Sequence, residues 1–225
     1  MTSEPSVQEV MLRGIVVGAF QENCWVIGNR RTGEAVCVDP GDEPGEILAM
    51  AREMGVQIKL IANSHGHIDH VLGIAGVREA TGARFLLHPG DEELVRGTSE
   101  SAKRWMGAEI PNPPPPDQFL ADGDDIDVDG LKLRVIHTPG HTPGSVCFYV
   151  NGVLFAGDTL FAGSIGRTDL PGGDYDQEMG SIVERLLALP DETIVLPGHM
   201  DQTTIGQERQ RNAYVRMELD RRAGS

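Results

Sequence analysis

Aromatic residues are scarce, at 5% of the chain, and cysteine is scarcer still. Cys24, Cys37 and Cys147 are an odd number, far apart, with no CxxC pair. That spacing excludes a disulfide framework or a thiolate metal site and leaves the three as small apolar residues in strands. Long apolar runs are missing too. No stretch approaches the roughly 18 residues of a membrane span, and residues 1–14 carry Glu4, Glu9 and Arg13 where a secretion signal would be apolar. Positive charge is short: 19 Lys and Arg against 34 Asp and Glu give a net charge of −15 with neutral histidine. A surface that acidic repels phosphate backbones and anionic lipids, which argues against nucleic acid or membrane as the partner. The expectation is a soluble, cytoplasmic protein.

What remains is ordinary globular composition, 40% apolar and 24% charged over 225 residues. It fits a single domain with its core over about residues 10–205 and a polar helical tail over 206–225. Short β-branched runs between turn clusters predict strands at 10–17, 24–28, 35–39, 59–63 and 84–88. Asp129-Gly130 and Asn151-Gly152 each separate two such runs and predict two-residue hairpins, because these pairs tolerate positive φ. Apolar spacing predicts helices from Pro44 to Met54, over about 70–81, within 90–106, over 176–189 and over about 205–222. Pro113 to Pro116 cannot donate to a helix or ladder, so 111–116 reads as an extended surface crossover. Strands and helices mixed in this order fit two stacked sheets with helices outside. Homo-oligomers are left open.

The histidines carry the chemistry. Three fall in Ser64-His65-Gly66-His67-Ile68-Asp69-His70, directly after an apolar strand. Gly66 lets the backbone fold sharply there, so the imidazoles and the Asp69 carboxylate can gather around a divalent metal. Three further candidates sit in loops after apolar strands, each preceded by glycine: His141, Asp158 and His199. Together these are five histidines and two aspartates, about what two metals need while leaving positions open for water and substrate. Asp125 to Gly130 mimics the start of a calcium loop. Its twelfth position is Ile136 and strands flank it, so calcium is not expected. His88 and His137 fit no metal position and read as structural.

The order HxHxDH, then His, Asp and His, resembles the metallo-β-lactamase superfamily from about Val10 to Ile205. The resemblance implies an α+β fold, a four-layer αββα sandwich with the site at the sheet edge. It also implies two divalent ions, zinc first, with iron or manganese as alternatives. His65, His67 and His141 resemble the first-metal ligands, Asp69, His70 and His199 the second-metal ligands, and Asp158 the bridging carboxylate. Asp69 and Asp158 would be the catalytic carboxylates, with Asp69 also orienting the nucleophile. A carboxylate at Asp69, in place of a thiolate, is typical of the hydrolytic branch rather than of β-lactamases. The strings from Phe161 to Leu170 and from Thr203 to Glu208 are similar to short glyoxalase II-like thioesterases. That similarity implies hydrolysis of a small-molecule thioester such as S-lactoylglutathione by a metal-bridging hydroxide. Full-length glyoxalase II adds a helical part that helps hold glutathione, and only about twenty residues follow Ile205 here. Gly166-Arg167-Thr168-Asp169 is shared with persulfide dioxygenases, so Arg167 and Asp169 are either substrate contacts or a salt-bridged loop. The rival reading is such a dioxygenase, acting on glutathione persulfide with one iron on His65, His141 and Asp158. A lactonase or an RNA-processing nuclease stands further off.

Overall fold

The computed structural model describes residues 10–224. Strands β1 (Val10–Val17), β2 (Glu22–Asn29) and β3 (Glu34–Val38) pair antiparallel. Helix α1 (Pro44–Met54) then returns the chain so that β4 (Gln57–Ala62) lies parallel to β3. Helices α2 (Ile68–Val71) and α3 (Ile74–Thr81) lead to β5 (Arg84–Leu87), parallel to β4. After α4 (Glu92–Arg96) and α5 (Thr98–Met106), the partly exposed proline segment runs to β6 (Gln118–Phe119), which completes the first sheet beside β5.

The second sheet begins with β7 (Asp125–Val128) and β8 (Leu131–His137), continues through β9 (Val146–Val150) and β10 (Val153–Gly157), and includes two later strands. Between them come the small hairpin β11 (Leu160–Phe161) and β12 (Ser164–Ile165), helix α6 (Tyr175–Gly180) and a π-helical segment Ser181–Leu186. Strand β13 (Ile194–Pro197) is parallel to β10, and β14 (Thr203–Thr204) closes that edge. Helices α7 (Ile205–Arg211) and α8 (Ala213–Ala223) follow.

Strand alternation builds the layers. On β3, Val36 and Val38 point between the sheets with Leu133, Val135, Phe148 and Phe155 of the second sheet. Ala35 and Cys37 point the other way, onto Ile47 and Ala51 of α1 and Ile74 and Val77 of α3. On the second sheet, Cys147, Leu154 and Val195 face Met179, Ile182, Ile205 and Val215 of the later helices. The result is the expected αββα sandwich. All three cysteines are buried in strands as free thiols. Both hairpins form, with Asp129 (φ 47°), Gly130 (φ 90°), Asn151 (φ 48°) and Gly152 (φ 80°) in the left-handed region that such turns require. The calcium-loop mimic is simply the first of these turns, where Asp127 accepts from the Gly130 amide.

Several helices are more broken than periodicity predicts. The helix expected over 70–81 starts earlier and is interrupted at Gly73, whose amide donates to the Pro40 carbonyl at 2.8 Å. A side chain at Gly73 would collide with that carbonyl, so the chain sacrifices helical continuity for the approach. The helix expected over 176–189 becomes α6 plus the wider π turn. The C-terminal stretch divides at Asn212, whose Oδ1 accepts from the Tyr214 and Val215 amides and caps α8.

Candidate metal centre

The parallel strands β3, β4, β10 and β13 deliver their C-terminal ends to one edge of the sandwich. Cross-links there hold the sheets together: the Val146 amide donates to the Ser64 carbonyl, and Asn23 donates to the carbonyls of Pro197, Gly198 and Met200. The seven expected residues occupy the loops at this edge. Nitrogens of His65, His67 and His141 lie within 4.8 Å of one another, as do donor atoms of Asp69, His70 and His199. Asp158 stands between the groups. Its Oδ1 is 3.4 Å from His70 Nε2, and its Oδ2 is 3.7 Å from both His141 Nε2 and His199 Nε2. Glycine makes that convergence possible at Gly157 (φ 48°) and Gly198, where a Cβ would run into Ser64 and into Asp158 respectively.

Hydrogen bonds fix the imidazole tautomers. Ser64 Oγ donates its proton to Asp39 Oδ2 at 2.6 Å, so it accepts from His65 Nδ1 at 3.0 Å. The Nε2 lone pair of His65 is thereby left buried with no partner. His141 Nδ1 donates to the Arg167 carbonyl at 2.8 Å, turning its Nε2 lone pair toward His67 Nδ1, 2.9 Å away. Both nitrogens of His70 and Oδ1 of Asp158 also lack hydrogen-bond partners. His70 Nδ1 faces Asp39, but His65, His70 and Asp158 each also offer a donor atom within 4.8 Å of the other two, and buried nitrogen and carboxylate atoms left unpaired at such cost fit divalent cations.

The electrostatics agree. Burial first, then the neighbouring histidines, hold His65 well below the usual imidazole range. Burial and His141 lower His67 to about 4. Both are therefore neutral near pH 7 and present lone pairs. His70 and His199 move the other way: burial opposes a charge on them, but Asp158 beside His70 and the Asp69 hydrogen bond to His199 raise both. His70 in particular lies 3.2 Å from Asp39 and 3.8 Å from Glu22, so it sits among carboxylates gathered for a positive charge.

Sequence reasoning missed the carboxylates behind these loops. Asp39, Glu22, Asp91 and Glu178 are all buried. Asp91 accepts from the Gly66 amide (2.8 Å), the Gly144 amide (2.7 Å) and the Thr142 hydroxyl (2.7 Å), pinning the His65–His67 loop to the His141 loop. Glu178 accepts from the His141 amide at 2.8 Å. A signal existed for two of them, since Asp39-Pro40-Gly41 and Pro89-Gly90-Asp91 also place an aspartate within two residues of a glycine shortly after an apolar strand. Glu22 and Glu178 read as ordinary surface residues. Of the two expected substrate contacts, Arg167 lines the cleft beside the donors, and its guanidinium donates to both oxygens of Asp169.

The model of the metallo-β-lactamase superfamily matches residues 17–199. The chain belongs to the metallo-β-lactamase superfamily. Among curated relatives, "Hydroxyacylglutathione hydrolase GloC" of Haemophilus influenzae is 36% identical over 204 residues, covering 89% of this chain and 96% of the relative. The crystal structure of BLEG-1, a B3 metallo-β-lactamase, superposes with a TM-score of 0.85 at 35% identity, covering 91% of this chain and 99% of that one. The crystal structure of TTHA1623 in a di-iron-bound form superposes at 0.81 with 39% identity, covering 90% and 99%. A hydrolase named for a glutathione thioester and a β-lactamase thus resemble this member of the superfamily to the same degree, so likeness alone does not choose the substrate. Among the described residues, no helix is long and apolar enough to cross a membrane.

Proposed function

We propose that this chain is a metal-dependent thioester hydrolase of the glyoxalase II kind, with His65, His67 and His141 holding one divalent cation and Asp69, His70 and His199 a second. The observation that carries this is Asp158: one carboxylate flanked by both donor groups, as a bridging ligand would be. Bound cations would supply a Lewis acid for a carbonyl and lower the pKa of bound water to about 7. The chain's own residues do the positioning. Ser64 and the Arg167 carbonyl fix two imidazoles with Nε2 exposed to the site. Asp69 accepts from His199 at 3.1 Å; burial opposes its charge, but that hydrogen bond together with the nearby His70 and His199 holds its carboxyl below the ordinary range, so it can orient a nucleophile. A thiolate leaves readily, so no dedicated acid is needed and none stands free among the donors. Zinc is the metal we assign; the di-iron relative is the reason to assay iron beside it. The three free thiols accord with a cytoplasmic setting.

A complete second donor group favours hydrolysis over a single-iron dioxygenase, which would leave Asp69 and His199 without a task. The deciding assay follows S-lactoylglutathione hydrolysis by metal-loaded protein, with a chromogenic β-lactam and glutathione persulfide plus oxygen as competing substrates. Thioester turnover above the other two supports the reading. Faster β-lactam opening, or oxygen uptake on the persulfide, overturns it.

A further inference from the structure

The cleft that meets the donor residues has a volume of about 280 Å³ and a lining of two kinds. His67, Asp69, His141 and Asp158 supply the polar part; Phe20, Ile68, Leu94, Trp105 and Leu170 supply the apolar wall. Larger concavities of about 380 and 400 Å³ lie elsewhere, and none of the seven metal-type donors lines either. Aromatic residues are few in this chain, yet Phe20 and Trp105 stand 41% and 56% exposed at this cleft, their rings open to whatever enters. Large rings left in water beside polar donors mark a surface shaped for an apolar ligand.

Charge points the same way. Arg167 is the one cation among the lining residues, and both oxygens of Asp169 already neutralise it. Arg104 lies against the neighbouring Trp105 ring, 5.3 Å from its centroid, on a chain of net charge −15. A glutathione moiety brings two carboxylates; of these two cations, Arg167 already holds Asp169 and Arg104 is engaged over the Trp105 ring.

We infer that the cleft selects thioesters by an uncharged, apolar or aromatic group that lies against Phe20, Trp105 and Leu170, and that the charged glutathione peptide contributes little to binding. The inference takes the scissile bond from the hydrolase reading, but the selection itself is a binding property that can be measured without turnover.

The test uses thioethers, which cannot be hydrolysed, titrated calorimetrically into the metal-loaded full chain. Two series are compared, S-alkyl N-acetylcysteamine and S-alkylglutathione, each with methyl, propyl and hexyl chains. Every methylene buried on the apolar wall should tighten binding by about fourfold, so methyl to propyl should gain about fifteenfold in both series. At equal chain length the two series should agree within about threefold, and Trp105→Ala should cut the methyl-to-propyl gain by more than half. Trp105 is exposed enough for that variant to fold, and Leu170→Ala gives a second reading of the same wall. The inference fails if affinity follows the glutathione part whatever the alkyl length. It fails equally if Arg104→Ala or Arg167→Ala weakens the glutathione series alone, or if Trp105→Ala leaves the chain-length gain intact. Chain-length selection without hydrolysis of the matching thioesters would refute the hydrolase reading and leave this one standing. Hydrolysis without chain-length selection would do the reverse.

Discussion

Replacing Asp91 should damage the centre without touching a metal-type donor. Its carboxylate takes three hydrogen bonds, from the amides of Gly66 and Gly144 and from the Thr142 hydroxyl. Gly66 lies between His65 and His67, and Thr142 and Gly144 follow His141. In Asp91→Ala the Thr142 hydroxyl keeps Ser145 Oγ at 2.7 Å, but the two buried amides have no substitute. Each orphaned amide costs roughly 1–3 kcal/mol, which gives about 2–6 kcal/mol of lost stability, a large part of the 5–15 kcal/mol typical of a domain. Asp91→Asn should cost about half as much, since its remaining oxygen still serves one amide while its NH₂ faces the other. The informative assay pairs urea unfolding with cobalt titration. Affinity should fall for the His65, His67 and His141 group and hold for the Asp69, His70 and His199 group. A loss under about 0.5 kcal/mol in Asp91→Ala, or equal weakening of both groups, would refute the clamp argument.

Asp158→Ala should lower turnover by more than the roughly 10- to 100-fold that outer partners of a metal ligand cost; retained turnover in metal-replete protein would contradict its central place. Glu178 makes a pH prediction. Burial raises its carboxyl from the ordinary 4.5 to about 9. Below 4.5 it is protonated in both folded and unfolded chains; between 4.5 and about 9 only the folded chain keeps the proton, so its contribution to stability is lost as pH rises. Glu178→Gln retains an acceptor for the His141 amide and should remove that slope. The urea midpoint of the variant should gain on the parent between pH 5 and pH 8.5 in chelator-treated protein, as a prediction from this linkage. A constant gap would show that Glu178 ionises normally.

The features that were legible in the sequence are those that local chemistry specifies alone. Asp129-Gly130 and Asn151-Gly152 place two hairpins because few other pairs accept left-handed backbone twice in succession. The seven donors stand out because histidine and aspartate after an apolar strand and beside glycine are an unusual combination. What escaped depends on partners distant in sequence. Gly73 interrupts a periodic helix because the Pro40 carbonyl, 33 positions earlier, needs its amide. Glu22 looks like a surface acid until His70 and Gly41 gather around it, as does Glu178 until the His141 loop reaches it. Asp91 reads as the start of a helix, and its real task is visible only once Gly66 and Gly144 are brought together.

The most direct test of the metal-centre assignment is a count of metal by elemental analysis on the parent chain, His67→Ala and His199→Ala, each loaded with zinc and freed of excess. The two donor groups predict two ions per chain in the parent and one in each variant. One ion in all three proteins, or none in the parent, would contradict it.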